Sequence, residues 1–240
     1  MRAFPVTRYA LYFTPPRDHP LTVACSRLLG RDAFDGAELA TSGGSDLGAA
    51  ALSKWTAEPR RYGFHGTLVA PFRLGSDFGE RDVLRAADAT AADCAPFAVS
   101  LKIARLRDFF ALVPVSPGAE LEALASIAVD RFDPLRAPLT DSEIARRDPA
   151  RLNERQRAYL LRHGYPYVKE EFRFHMTLTG PVTEKEADRI APVLQAILAP
   201  LLASPIEIDA VAVFIEPEAG VPFTVHSIHR LGTTENRKTA

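Results

Sequence analysis

The sequence predicts an α+β fold with two pseudo-symmetric lobes, each an antiparallel sheet with helices packed on it. The first observation is a repeated octapeptide: Phe64–Pro71 returns 110 residues later as Phe174–Pro181, with five of eight positions identical. The second is that each copy opens the same predicted order of elements, namely strand, helix, strand, strand. Because hairpins alternate with amphipathic helices, the pattern favours an antiparallel sheet over a doubly wound parallel one.

The first half of the chain opens with an apolar, aromatic run over Tyr9–Phe13, which predicts a strand. After the first copy of the repeat, the 3.6-residue spacing of apolar side chains predicts a helix over Glu80–Ala92. Two extended runs follow, Phe97–Leu106 and Phe109–Val115. The polar pair at Arg107 and Asp108 between them indicates a hairpin turn.

The second half repeats this order. Thr183 and Glu186 have the spacing of a capping box, which predicts that a helix begins there. We expect Pro192 and Pro200 to kink or end that helix, because proline lacks the N–H donor that the helix needs. Extended runs at residues 206–215 and 223–231 complete the second copy of the pattern.

We predict that the chain forms one bilobal domain. Its expected parts are a first lobe core at about residues 62–132, a second lobe core at about 165–231 and a charged helical insertion at about 133–163, all within residues 1–240. Capping boxes that begin at Thr140 and Asn153 predict helices in the insertion. Residues 30–60 are rich in Gly, Ala and Ser, which indicates a mobile loop with a short helix over 46–55.

Composition limits the possible partners. Apolar residues at 47% and charged residues at 25% of 240 are ordinary globular values, and a net charge of −1 argues against an extended nucleic-acid track. Two widely separated cysteines indicate neither a disulfide framework nor a cysteine zinc site. Since we find no signal-peptide pattern and no apolar run of about 20 residues, we expect a cytoplasmic protein that does not enter a membrane. The oligomeric state is left open.

Each copy of the repeat contains side chains that can act in catalysis. In each copy a histidine stands two residues before a threonine inside an apolar run: His65 and Thr67 in the first, His175 and Thr177 in the second. Because side chains alternate along a strand, each pair faces the same way, roughly 6.6 Å apart along the chain. Two imidazoles and two hydroxyls on rigid strands are sufficient for acid–base chemistry on a phosphate. We therefore predict that these four residues are catalytic.

The paired motifs resemble the two-histidine phosphoesterase superfamily, whose members carry two His-x-Thr motifs about half a protein apart. The runs at residues 152–158, 164–168 and 170–175 are similar to a largely uncharacterised bacterial branch of it that is associated with phosphonate-metabolism operons. The resemblance implies a cleft between two lobes, with the motifs facing each other across it. It also implies a phosphoric diester hydrolase that acts like a cyclic phosphodiesterase on a small phosphorylated substrate.

The residue types suggest how such an enzyme works. Imidazole has an unperturbed pKa near 6.5, so one histidine can be neutral while the other is protonated. The neutral imidazole removes a proton from water, and the protonated one donates a proton to the leaving oxygen. The threonine hydroxyls hydrogen-bond the non-bridging oxygens. We expect no metal and no cofactor. The sequence does not assign the base and the acid between the two histidines.

Three further residues are expected to bind substrate. Strand alternation places Arg173 and Thr179 on the face of His175, and Tyr167 stands in one of the runs that carry the resemblance. Arg173 could grip a terminal phosphate, or it could lie in solvent and pair with a neighbouring glutamate. The first copy has Gly63 at that position, which predicts open space there and an asymmetric pocket.

Two alternatives remain at this point. The cleft could belong to a non-catalytic module that binds a phosphorylated ligand or an RNA end. A metal enzyme would need a ligand set, and His226 and His229 are the nearest pair in sequence. On the strand predicted for this segment, residues three apart point to opposite faces, which disfavours chelation.

Overall fold

The computed structural model describes residues 7–41 and 48–232, and it confirms the predicted α+β class. Every strand pair that it contains is antiparallel. The strands are β1 (Arg8–Phe13), β2 (Gly66–Phe72), β3 (Phe97–Val99), β4 (Leu101–Leu106), β5 (Phe109–Pro114), β6 (Met176–Thr177), β7 (Ile206–Ile208), β8 (Ala210–Glu216) and β9 (Thr224–Arg230).

Helices connect these strands and cover the sheet. They are α1 (Pro20–Leu29), α2 (Ala49–Trp55), α3 (Ala57–Arg60), α4 (Glu80–Ala92), α5 (Ala119–Phe132), α6 (Asp141–Ala145), α7 (Glu154–His163) and α8 (Glu184–Leu198). Short 3₁₀ helices occupy Asp133–Leu135, Pro149–Arg151, Lys169–Glu171 and Ala199–Leu202. None of the helices within residues 7–41 and 48–232 combines the length and the apolar character needed to cross a bilayer.

The internal repeat extends to whole elements. The series β2, α4, β3, β4, β5 is followed later in the chain by β6, α8, β7, β8, β9. The short strands β3 and β7 pair with each other in a separate two-stranded sheet. The other seven strands form one sheet in the order β4-β5-β6-β2-β1-β8-β9. The two lobes therefore meet in the middle of a continuous sheet, where β2 pairs with β6.

Each lobe takes strands from both halves of the chain. The hairpin β4–β5, which follows the first motif, pairs with β6 of the second motif. The hairpin β8–β9, which follows the second motif, pairs through β1 with β2 of the first. The predicted lobe boundaries follow the order of the chain and therefore describe the sequence repeat. In three dimensions, each motif strand lies in a lobe with the hairpin that follows the other motif in sequence.

Strand alternation gives the sheet two buried faces. Tyr9, Leu11 and Phe13 of β1 belong to the main core, to which α4 and α5 also contribute. Ala10 and Tyr12 point to the opposite face and join a smaller aromatic cluster with Phe214 and Phe223. This smaller cluster lies under the first motif and becomes part of the site.

The predicted helix starts are confirmed, and the helix that Pro192 and Pro200 were expected to kink or end runs past the first proline and ends before the second. Thr140, Asn153 and Thr183 each cap a helix through a complete capping box. Pro192 does not end α8, which continues to Leu198. Buried apolar side chains before and after the proline keep that helix packed on the core, and this packing outweighs the lost hydrogen bond. Pro200 lies in the 3₁₀ turn after α8.

Part of the predicted Gly/Ser-rich loop lies outside the described residues. Residues 42–47, which include the Ser42–Ser45 run, belong to that part. The short helix expected over residues 46–55 is observed over Ala49–Trp55.

The expectation for His226 and His229 needs correction. Both rings contact carboxylates of α4: His226 lies 3.3 Å from Glu80 and His229 lies 2.9 Å from Asp88. The β8–β9 ladder skips His226, and this bulge breaks the alternation that would have separated the two rings. In the part of the chain that the structure describes, no group of three or more His, Cys, Asp or Glu side chains is arranged to hold a metal ion.

Candidate active site

The two motifs lie side by side at the junction of the lobes. Gly66 of β2 pairs with Met176 of β6. Antiparallel pairing about this point brings His65 beside Thr177 and Thr67 beside His175. The cavities at the surface agree, because one is lined by both His65 and Thr177 and the next by both Thr67 and His175.

The two central residues of the motifs face the core, so the four polar ones face the cleft. Met176 is fully buried. A Cβ on Gly66 would lie 2.5 Å from the Phe174 ring, so the ring occupies the space that a side chain there would need. By alternation, the two histidines and two threonines of the motifs share the other face, and all four are partly buried.

Both imidazoles are held in the same way. The Nδ1 of His65 lies 2.9 Å from the carbonyl oxygen of Gly63, and the Nδ1 of His175 lies 2.8 Å from that of Arg173. A carbonyl only accepts hydrogen bonds, so each Nδ1 carries the proton and donates it. Each Nε2 is therefore the nitrogen left for chemistry. In the first motif it lies 3.2 Å from the Thr67 hydroxyl.

His65 sits among aromatic rings. Its imidazole stacks on Tyr12 with ring centroids 3.9 Å apart and planes inclined by 26°. The rings of Tyr62 and Phe214 lie 6.1 and 6.2 Å away. The pKa of His65 is lowered to about 4, chiefly by burial and further by the nearby His175, against an opposing effect of the bond to the Gly63 carbonyl. The ring is therefore neutral at pH 7.

His175 has different surroundings. One aromatic ring, that of Phe109, lies 5.9 Å from its imidazole. The adjoining cavity of about 550 Å³ is lined by Arg105, Arg107 and Arg173. The cavity beside His65 is smaller, about 280 Å³, and Glu58 is the one charged residue among the described residues that line it. Phe109 lines both cavities and stands between them.

The predicted substrate-binding residues fall in different places. Arg173 is exposed at the larger cavity, and its Nη1 donates to the main-chain carbonyls of Glu170 and Phe172 rather than to a glutamate carboxylate. Tyr167 lines the same cavity, with its ring edge-on to Tyr165. Thr179 is fully buried, and its hydroxyl accepts a hydrogen bond from the Phe110 N–H. Thr179 also lines the smaller cavity beside His65, so its role in substrate binding stays a prediction.

The open space expected at Gly63 is not there. Gly63 has φ +76°, and a Cβ on it would lie 2.3 Å from the Cβ of Ala33. The glycine is required by the left-handed backbone and by this close approach. The asymmetry of the site arises instead from the arginines beside His175.

Several contributors escaped the sequence reasoning. Tyr12 and Phe109 look like ordinary strand residues, and nothing in their local pattern shows which histidine they approach. Arg105 and Arg107 border a turn that the sequence did predict. Their charge beside a hairpin was a usable signal, but the pairing of β5 with β6 that brings them to His175 is a long-range feature.

Solved structures with a similar arrangement include proteins of low sequence identity. One described as a phosphoesterase is 13% identical, with 95% of this chain and 99% of that chain covered and a TM-score of 0.43. Escherichia coli LigT in complex with ATP is 11% identical, with the same coverage and TM-score. A conserved protein of unknown function, ATU0111 from Agrobacterium tumefaciens, is 14% identical, with 94% and 86% covered and a TM-score of 0.44.

Two curated relatives share the name ribose 1,5-bisphosphate phosphokinase PhnN. The one from Janthinobacterium sp. (strain Marseille) is 43% identical over 223 residues, which is 91% of this chain and 49% of the relative. The one from Laribacter hongkongensis (strain HLHK9) is 35% identical over 218 residues, which is 90% of this chain and 50% of the relative. The chain thus spans about half the length of the curated relatives it matches.

A match to a family model shows the family of this chain. The model described as "Protein of unknown function (DUF1045)" matches residues 67–224. This region runs from Thr67 of the first motif to the start of β9, and it includes the whole second motif. The protein therefore belongs to the DUF1045 family.

Proposed function

We propose that the protein is a phosphoesterase that cleaves a small phosphodiester or cyclic phosphate by paired-histidine acid–base catalysis, without a metal ion. The observation that carries this proposal is the register at the β2–β6 junction, which sets His65 and His175 on one face of adjacent strands. Their Nδ1 atoms are both bonded to main-chain carbonyls, so both Nε2 atoms are available to one substrate. A positioned acid and a positioned base are what hydrolysis of a phosphate ester needs.

The low pKa of His65 supports one division of the two roles. His65 is neutral, so its Nε2 removes a proton from the attacking water. The water oxygen bonds to phosphorus, and the bond from phosphorus to the leaving oxygen breaks. The leaving oxygen takes its proton from the Nε2 of a protonated His175. The negative charge of the bound phosphate favours the protonated form of His65, which raises its basicity when substrate is present.

The threonines complete the phosphate site. Thr67 and Thr177 flank the paired residues Gly66 and Met176 on the same face as the histidines. Their hydroxyls donate hydrogen bonds to the non-bridging oxygens, where negative charge accumulates as the reaction proceeds. The Thr67 hydroxyl lies 3.2 Å from His65 Nε2, and a bound phosphate would compete for it.

A phosphorylated ribose is the first substrate class to test. The curated relatives are named for ribose 1,5-bisphosphate, and a role in phosphonate metabolism belongs to the same proposal. The kinase activity in their name is not carried over, because the match covers half of their length. The cytoplasmic location expected from the sequence stays a prediction.

The proposal is tested by turnover of 2′,3′-cyclic nucleotides and cyclic ribose phosphates in excess chelator. We expect turnover that chelator leaves unchanged and that His175→Asn lowers. Activity that disappears in chelator and returns with zinc would contradict the metal-free mechanism. Tight binding of these compounds without turnover of any of them would instead support the binding module.

A further inference from the structure

The cavity beside His175 carries an excess of positive charge. Three arginines, Arg105, Arg107 and Arg173, and one glutamate, Glu171, line it. The glutamate is already engaged, since it accepts a hydrogen bond of 2.8 Å from Gln156. The reacting phosphate alone carries one negative charge as a diester, so these arginines exceed what a simple diester requires.

Two of the arginines lack a carboxylate partner. No carboxylate of residues 7–41 or 48–232 forms an ion pair with Arg107 or Arg173. Arg105 donates from Nη1 to Glu184 at 2.6 Å, but its Nε is buried and has no partner among the described residues. A guanidinium presents donors in a fork that matches the oxygens of a phosphate. The unsatisfied donors therefore fit a phosphate group.

Arg107 also occupies a costly backbone conformation. It is the first residue of the two-residue loop between β4 and β5, and its φ is 58°. Glycine is the residue favoured where a short hairpin loop needs a positive φ, because an L side chain there crowds the backbone. A strained residue at the mouth of a cleft indicates that its side chain is retained for a purpose.

We propose that these three arginines form a subsite for a second phosphate of the substrate. The substrate class is then a small phosphodiester that also carries a phosphate monoester. The reacting phosphate lies between His65 and His175, and the monoester lies on the His175 side in the larger cavity. This inference rests on the proposed function, which places the reacting phosphate.

The test uses a matched pair of probes, uridine 2′,3′-cyclic phosphate and the same compound with a 5′-phosphate. Affinity is measured by calorimetry with His65→Asn, which is expected to slow turnover, and kcat/KM is measured with the unaltered protein. We expect the 5′-phosphate to lower Kd by ~10–100-fold, the gain typical of charge-assisted hydrogen bonds. We expect kcat/KM to favour the same probe.

Arg107→Gly tests the subsite without disturbing the hairpin, since glycine suits the left-handed backbone. This substitution should remove most of the preference for the 5′-phosphate while the melting temperature is maintained. Arg85→Ala is the matched control, because Arg85 is an exposed arginine of α4 paired with Asp82. It should keep the full preference.

The outcomes separate the subsite from the proposed function. Equal affinity for the two probes, no binding of either, or an undiminished preference in Arg107→Gly would overturn the subsite. Turnover of both probes without preference would leave the phosphoesterase in place and remove the subsite. A preference in binding that Arg107→Gly abolishes, without turnover of either probe, would support the subsite and count against the phosphoesterase.

Discussion

The two copies of the motif hold their histidines alike and surround them differently. In each copy the Nδ1 donates to the carbonyl two residues earlier. His65 then stacks on the buried Tyr12 in an aromatic corner. His175 instead borders a cavity lined with arginines. The shared geometry follows from the repeated sequence, and the different surroundings follow from which hairpin packs beside each strand.

In the proposed mechanism the two histidines have different roles because their surroundings differ. Two chemically identical imidazoles need different surroundings if one is to take a proton and the other to give one. The aromatic corner keeps His65 neutral. We expect the arginines beside His175 to attract an anionic substrate.

Removing either imidazole should cost the most. His65→Asn and His175→Asn should each lower kcat by ~10²–10⁴-fold, the usual contribution of a positioned base or acid. A phosphodiester substrate with a p-nitrophenyl leaving group distinguishes the roles of the two histidines, because this leaving group needs no proton. This substrate should restore much of the activity of His175→Asn and little of that of His65→Asn. The measurement compares initial rates on it with initial rates on the corresponding methyl phosphodiester. Rescue of His65→Asn instead would reverse the assigned roles.

Removing the hydroxyls should have a smaller effect. Thr67→Val and Thr177→Val keep the side-chain shape and lose the donor, so kcat should fall by ~10–10³-fold with KM altered less. Steady-state kinetics on the substrate that turns over best provides the measurement. A variant that raises KM alone would show that its hydroxyl serves ground-state binding.

Gly66, the central residue of the first motif, should not tolerate a side chain. Gly66→Ala puts a Cβ 2.5 Å from the buried Phe174 ring, so we expect a loss of ~1–3 kcal/mol in the free energy of unfolding. Gly75→Ala is the control, because a Cβ there would meet its nearest atoms at ordinary contact distances of 3.5 Å or more. The free energy of unfolding of both variants is measured by denaturant unfolding. Equal stability of the two would show that the junction tolerates a side chain at this position.

The pH dependence should show the low pKa of His65. Between about 6.5, the ordinary histidine value, and about 4 the unfolded chain binds more protons at this residue than the folded protein does. Its contribution to stability is therefore complete above pH 6.5 and is lost as the pH falls towards 4. The NMR titration of the His65 ring should have its midpoint near pH 4. A midpoint near 6.5 would mean that water reaches the ring.

Local sequence predicted much of this molecule, since capping boxes, hairpin turns and strand alternation are set by neighbours in the chain. It placed His65 and Thr67 on one face, as the 3.2 Å contact between them shows. It left open whether Pro192 kinks or ends α8, and the helix continues through this proline because its flanking side chains pack against the core. It also missed the exchange of hairpins between the lobes, and with it the arginines beside His175, because strand order is not written in local patterns.

The most direct test asks whether both histidines address one phosphate. Inorganic phosphate is titrated into the protein while the imidazole resonances of His65 and His175 are followed by NMR. We expect the resonances of both rings to shift along one saturation curve with a single Kd. Thr67→Val and Thr177→Val should each raise that Kd equally for both rings. Movement of one ring while the other stays unchanged at saturation would contradict the shared site.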